Sequence, residues 1–187
     1  VASAGYVGTV TISDFGYYDA NAAAPGTGTA GQPFFAAFGR TAQLQYLNGM
    51  YGANYHSFQT TINRRLTRGL MLKGAYTFSK AINITDSEGG VTFNYAPARS
   101  RNRALAGYDT PHVFQIASVY ELPFGKSRAV ANQGIAAALL GGWQLNGLVS
   151  SYSGRPFTVS ADGGTLNAPG NSQTADQVNP LVQKIGS

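Results

Sequence analysis

Residues 55–82 read YHSFQTTINRRLTRGLMLKGAYTFSKAI, two runs of alternating side chains around Thr67-Arg68-Gly69. In the first run Phe58, Ile62 and Leu66 share one face with Thr60, and Gln59, Thr61, Asn63 and Arg65 share the other. In the second, Leu70, Leu72, Tyr76 and Phe78 are opposed by Lys73, Thr77 and Ser79. A period of two predicts strands with one apolar and one polar face. Gly69 accommodates the positive φ of a tight turn, so the pair reads as a β-hairpin. Each arm has about the 9–11 residues that a tilted strand needs to cross a bilayer.

Three further runs carry the same pattern. Tyr6, Val10 and Ile12 alternate with Thr9, Thr11 and Ser13, and Phe114, Ile116, Tyr120 and Leu122 alternate with Gln115, Ala117 and Glu121 until Pro123 and Gly125. From Trp143, Leu145 and Val149 alternate with Gln144, Asn146 and Ser150; the run is read on through Phe157 and Val159, with a bulge at Pro156. The expected fold is all-β, an antiparallel meander of five long strands near residues 5–13, 55–66, 70–82, 111–122 and 143–159. The connections 15–54, 83–109 and 161–187 are long, polar and rich in Gly, Ala, Asn and Pro, whereas 67–69 is short. Segment 123–142 is intermediate, with a helical turn expected over Ile135–Leu140. Long loops gathered on one side are the habit of outer-membrane barrels, which puts the long connections outside the cell.

Composition supports a membrane barrel. The 187 residues include 24 Gly, 11 Tyr, 10 Phe and one Trp, with 11% charged residues, against about 25% in soluble domains. No stretch approaches the roughly 18 apolar residues of a spanning helix; the longest small-apolar run, Gly134 to Trp143, is mostly Gly and Ala. Strands closed into a barrel are then the way left to cross a bilayer. The chain has no Cys and two His, so no disulfide framework, metal centre or cofactor is expected. With 13 Lys plus Arg, the basic footprint is too sparse for a nucleic-acid partner. Five strands are too few to close a barrel, which takes about eight. The chain is therefore expected to be an open segment of a larger one, its edges paired by the remaining wall. No secretory signal is read at Val1, which makes a lost beginning the expectation for an exported protein.

The strings YHSFQTTINRRLTRGLMLKGAYTFSKAIN, YDTPHVFQIASVYELPFG and GGWQLNGLVSSYSGRPFTV resemble the barrel domain of Oar-like TonB-dependent outer-membrane transporters over about Tyr55 to Val159. GYVGTVT at Gly5 to Thr11 adds weaker likeness. The ordered set carries the resemblance: Tyr-Thr-x-Ser-Lys at Tyr76–Lys80, Asp-x-x-His at Asp109–His112, Glu-Leu-Pro-Phe-Gly at Glu121–Gly125 and Ser-Gly-x-Pro-Phe at Ser153–Phe157. The family implies a barrel of about 22 strands with a plug, driven through the TonB system. Implied partners are outer-membrane lipid, the rest of the barrel with its plug domain, and TonB indirectly. The implied location is the bacterial outer membrane. The chain carries neither plug nor TonB box, so the expected role is that of a barrel-wall segment contributing to substrate passage, without enzymatic activity. The alternative is a soluble extracellular β-sandwich that binds carbohydrate or protein.

The lipid-facing residues expected from the alternation are Phe58, Ile62, Leu72, Tyr76, Phe114, Ile116, Tyr120, Trp143 and Leu145. Trp143, Tyr120 and Phe124 fit an aromatic girdle at an interface. Arg99, Arg101 and Arg103 are loop candidates for an anionic ligand or lipopolysaccharide phosphates, against the plainer reading of a solvated loop. Arg64, Arg65 and Arg68 crowd the opposite end and suit snorkelling. Gly125-Lys126-Ser127 looks like the end of a phosphate loop, but Tyr120 stands where that loop needs Gly. Asp109 and His112 read as a turn former and a rim residue, and His56 as a single ring without a visible partner.

Overall fold

The computed structural model describes residues 1–86, 90–176 and 178–179. Five long strands form an antiparallel meander: β1 (Ala2–Asp19), β2 (Gln45–Thr67), β3 (Leu70–Asn83), β5 (His112–Glu121) and β6 (Gln144–Tyr152), in the order β1-β2-β3-β5-β6. A short strand, β4 (Ala104–Leu105), pairs with the end of β3 through Ile82↔Leu105 and Asn83↔Ala104. The sheet does not close on itself, so β1 and β6 are its edges. The remaining two strands, β7 (Ser160–Ala161) and β8 (Gln173–Thr174), form a separate antiparallel pair.

The chain divides into two compact units, each built differently. The first comprises Val1–Val10, Asn54–Ala81 and Tyr108–Arg155. It contains the hairpin turn, where Arg68 (φ 52°) and Gly69 (φ 79°) both take left-handed backbone, the combination a two-residue type I′ turn requires. A Cβ on Gly69 would stand 2.8 Å from the Glu121 carbonyl oxygen. Its other connection holds helix α2 (Gly134–Leu140), closed by Gly141 N–H donating to Ala137 O at 3.1 Å.

This unit has no apolar core. Among its described residues the one buried apolar side chain is Ala81, while Phe58, Ile62, Phe114, Tyr120, Trp143 and Leu145 are all exposed. A soluble sandwich would bury such a face against a second sheet; here these side chains stay exposed among the described residues.

The second unit comprises Thr11–Ala53, Ile82–Gly107 and Pro156–Ser187. It does bury apolar groups, Ala22, Ala23, Tyr51, Val91, Ala106 and Ala168, and it contains the one-turn helix α1 (Phe35–Phe38) and 3-10 turns at Ala96–Asn102 and Gly163–Leu166.

Several boundaries differ from the sequence reading. The supposed loop 15–54 is strand at both ends, since β1 continues to Asp19 and β2 begins at Gln45. Tyr18 packs on Tyr46 at 5.3 Å between centroids, so aromatic cross-strand contact sustains pairing where Gly and polar residues hide the alternation. Ser13, at φ 61°, also interrupts the period there. The expected run to Val159 ends instead at Tyr152. Gly154 and Pro156 follow, and proline has no N–H to continue a ladder; the chain beyond forms β7. Loops 83–109 and 161–187 likewise contain β4 and β8, and the last part of the latter lies outside the described residues.

Candidate functional site

The first unit presents two chemically distinct faces, fixed by register. Leu72, Gly74, Tyr76 and Phe78 on β3 stand opposite Ser118, Ile116, Phe114 and His112 on β5. Ile116, Ser118 and Tyr120 in turn oppose Val149, Gly147 and Leu145 on β6. Directly opposed residues point to the same side, so the expected lipid-facing positions on these three strands form one surface. Ile62 of β2 joins it, because a Cβ on Gly74 would touch Ile62 Cγ2 at 3.0 Å and Ile116 Cγ1 at 3.6 Å. Trp143 extends it: its carbonyl accepts from Leu122 N at 2.9 Å, and its indole N–H donates to Leu139 O at 3.1 Å.

The opposite face carries Lys73, Ala75 and Thr77 paired with Ala117, Gln115 and Val113. Ser150, Asn146 and Gln144 continue it on β6. Gln115 Nε2 donates to the Tyr152 hydroxyl, and Ser3 and Thr61 share a hydroxyl hydrogen bond of 2.6 Å. Val113, Val119 and Leu148 also lie on this side, so it is mixed rather than uniformly polar. A barrel wall needs this division, with hydrocarbon against one surface and a water-accessible lumen against the other.

The structure gives each histidine a partner that sequence reading missed. Tyr6 and His56 share a hydrogen bond between Oη and Nδ1, and their rings stack with centroids 6.0 Å apart. Tyr76 and His112 repeat the arrangement at 2.8 Å and 6.2 Å, with Phe78 packed 5.1 Å from the His112 ring. Alternation alone holds the signal: His56 and His112 are at even positions, in phase with Phe58 and Phe114. Asp109 is at an odd position. It is buried, and its Oδ1 accepts the Ala81 N–H at 2.7 Å.

In the second unit, asparagine side chains knit the long connections together. Asp19 Oδ1 accepts from Asn21 N at 2.8 Å and Leu44 N at 2.9 Å. Asn21 donates through Nδ2 to the Arg40 and Ala42 carbonyls, both at 3.0 Å. Asn94 Oδ1 accepts the Asp19 N–H at 2.7 Å while its Nδ2 donates to Gly170 O at 2.7 Å. Asn171 Oδ1 accepts from Asn94 N and Tyr95 N, and its Nδ2 donates to Ala23 O at 2.9 Å. An amide side chain offers one acceptor and two donors, the same groups a neighbouring strand would supply, so these residues satisfy loop backbone that would otherwise be buried unpaired. Composition shows the asparagines but not which carbonyls they reach.

The three candidate arginines have different surroundings. Arg99 is half-buried, donates from Nε to Asn94 O at 2.9 Å and lies 3.6 Å above the Tyr18 ring, a cation–π brace. Arg101 lies 4.5 Å from the Phe93 ring and pairs with Asp176 at 3.7 Å. Arg103 is exposed, with its N–H donating to Ser100 O at 3.2 Å. Of the three, Arg101 lines a polar groove of about 530 Å³ with Asn83, Thr92, Asn102, Thr158 and Thr174. Tyr51 in the same unit donates to Tyr17 O at 3.3 Å; burial pushes its phenol up, against the lowering influence of Arg99. No set of three or more His, Cys, Asp or Glu side chains able to hold a metal occurs among the described residues.

Searches of curated proteins and of solved structures returned no match. The model of one family, described as an outer membrane beta barrel domain, matches residues 1–186. That match covers the face division, the uncovered apolar surface and the open meander alike, and it places the protein in the bacterial outer membrane: the chain belongs to the outer membrane beta barrel domain family.

Proposed function

We propose that this wall segment belongs to a TonB-dependent transporter of the Oar-like type, in which the lumen face and the long connections contribute to substrate passage without catalysing a reaction. The observation that carries this reading is where the resembling motifs fall. Three of the four sit at strand ends and pin them, and the fourth, Tyr76–Lys80, lies within β3. Asp109 receives the Ala81 N–H at 2.7 Å, Ser153 Oγ accepts from His112 N at 3.0 Å, and the Glu-Leu-Pro-Phe-Gly run ends β5 with Glu121 paired to Arg128 at 2.6 Å. Motifs that fix strand ends fit a shared barrel architecture better than chance likeness of single strands.

A non-catalytic role is supported by the bond that ties Asp109 to the Ala81 N–H and by the tyrosine bonded to each imidazole. On this reading the long connections face outside the cell, and the tied loops of the second unit form the surface a substrate meets first. The test is capture of the full-length protein, solubilised from outer membranes, by the purified periplasmic domain of TonB. Saturable capture supports the reading. Absence of capture, with the barrel folded by heat-modifiable gel mobility, overturns the TonB assignment and leaves a barrel wall of another type.

A further inference from the structure

We infer that the second unit carries a binding site for a neutral oligosaccharide, made of two cavities that meet at Phe93, Arg101 and Thr174. The polar groove of about 530 Å³ has Asp86, Thr92, Phe157 and Thr158 in its walls. A smaller cavity of about 180 Å³ has Pro25, Tyr95, Leu166 and Asp176 in its walls. Phe93, Arg101 and Thr174 line both, so a ligand with one ring in the smaller cavity can continue into the groove past the same three side chains. Every described lining residue of either cavity belongs to the second unit. The groove falls within the size of small-ligand sites, about 300–1,000 Å³.

The aromatic walls are held in place by the asparagines. Asn102 grips both backbone groups of Phe93, its Oδ1 accepting the N–H at 2.9 Å and its Nδ2 donating to the carbonyl at 2.8 Å. Asn171 Oδ1 accepts the Tyr95 N–H at 2.9 Å. The Arg101 guanidinium lies 4.5 Å from the Phe93 ring, which fixes it where the cavities meet. Walls set before binding lower the ordering cost of binding. Phe157, in contrast, is 86% exposed in the groove wall, an apolar ring left to solvent.

The side chains select the ligand chemistry. The charged ones among the described lining residues are Asp86, Arg101 and Asp176. Asp86 Oδ1 accepts from Asn83 Nδ2 at 2.7 Å and from Gly107 N at 2.9 Å, and Arg101 pairs with Asp176. Charges of both signs, each partnered within the protein, favour neither an anion nor a cation. The Arg101–Asp176 separation of 3.7 Å, with both side chains more than half exposed, exceeds the roughly 2.7–2.9 Å of a direct charge-assisted bond. It leaves both heads room to bond neighbouring hydroxyls. Thr92, Thr158 and Thr174 add hydroxyls, and Phe93, Tyr95 and Phe157 add apolar faces. A saccharide meets this combination: each of its hydroxyls donates and accepts, and the C–H face of its ring lies on an aromatic surface.

This deepens the transport reading by naming the class of substrate met by the long connections, and it rests on their facing outside. Binding needs no TonB, so failed TonB capture and failed saccharide binding are separate results.

The experiment applies full-length protein, purified in detergent with its folded state checked by heat-modifiable mobility, to an array of neutral gluco-, xylo- and manno-oligosaccharides, sialylated glycans and uncharged peptides. Saturable binding that is strongest to a neutral oligosaccharide supports the site. Arg101→Gln and Phe157→Ala should each weaken that binding about ten-fold, the scale of one lost charge-assisted bond or one lost ring contact. Arg40→Gln, at an exposed arginine of the same unit outside both sets of lining residues, should leave it unchanged. Phe157 is so exposed that its truncation keeps the test decisive even if Arg101→Gln fails to fold. Strongest binding to sialylated glycans or to peptides, no binding by the folded protein, or undiminished binding by folded Phe157→Ala overturns the site.

Discussion

Replacing Ile116 with Arg places a charge where the account requires hydrocarbon. Ile116 lies near the middle of β5, opposite Gly74 on one side and Val149 on the other, on the uncovered apolar face. An Arg at the midplane of a membrane barrel costs about 2–4 kcal/mol, roughly a 30- to 700-fold loss in the folded-to-unfolded ratio at about 1.4 kcal/mol per decade. A groove of about 490 Å³ lined by Ile62, Gly74 and Ile116 gives the long stem room to snorkel, which favours the lower half of that range. Gln115→Arg, one residue away, points to the other face between Ala75 and Ser150. It loses the bond to the Tyr152 hydroxyl but keeps its charge in water, so its cost should stay below about 1 kcal/mol. The assay is refolding of the full-length protein into phospholipid vesicles across a urea series, with the folded fraction read by heat-modifiable mobility. Equal loss for the two variants, or a larger loss for Gln115→Arg, would refute the assignment of faces.

Gly69→Ala should lower the urea midpoint by the equivalent of about 1–2 kcal/mol, because a left-handed Cβ is strained there and would press on the Glu121 carbonyl. Arg68→Gly relieves a side chain already at φ 52° and should leave the midpoint unchanged or raise it; the same urea series reads both. Asn94→Ala removes bonds to Asp19, Val91 and Gly170 and leaves a buried N–H unpaired, at about 1–3 kcal/mol. Protease added to intact cells should therefore cut the long connections faster while the barrel keeps its heat-modifiable mobility. Arg99→Gln should loosen the same loops through loss of the contact with Tyr18, whereas Arg99→Lys retains charge without the planar stack and should recover only part of the protease resistance.

The meander was legible because period two runs through each strand of the first unit and gathers residues such as Leu72 and Tyr76 on one side of the sheet. Where the alternation ends, the signal ends. Residues 45–54 form strand with aromatic contacts such as Tyr18 with Tyr46, and no alternation marks them. The stop at Tyr152 was written in Gly154 and Pro156, a pair open to two readings, bulge or terminus. The loop cluster was least legible: Asn21, Asn94 and Asn171 act through backbone carbonyls distant in sequence, and nothing local tells such an asparagine from one in a solvated turn. The tyrosine–histidine pairs fall between these cases, since phase puts each histidine on the apolar face while only strand pairing supplies its partner.

The most direct test of the wall assignment is single-cysteine labelling along β5, from Val113 to Tyr120, in a chain with no cysteine of its own. With full-length protein in outer membranes, a membrane-impermeant maleimide applied to permeabilised cells should label cysteines at 113, 115, 117 and 119. A lipid-dissolved reagent should label those at 114, 116, 118 and 120. Labelling that lacks this alternation, or aqueous labelling of 114 and 116 to the same extent as 115, would contradict the claim that β5 crosses the membrane as part of a barrel wall.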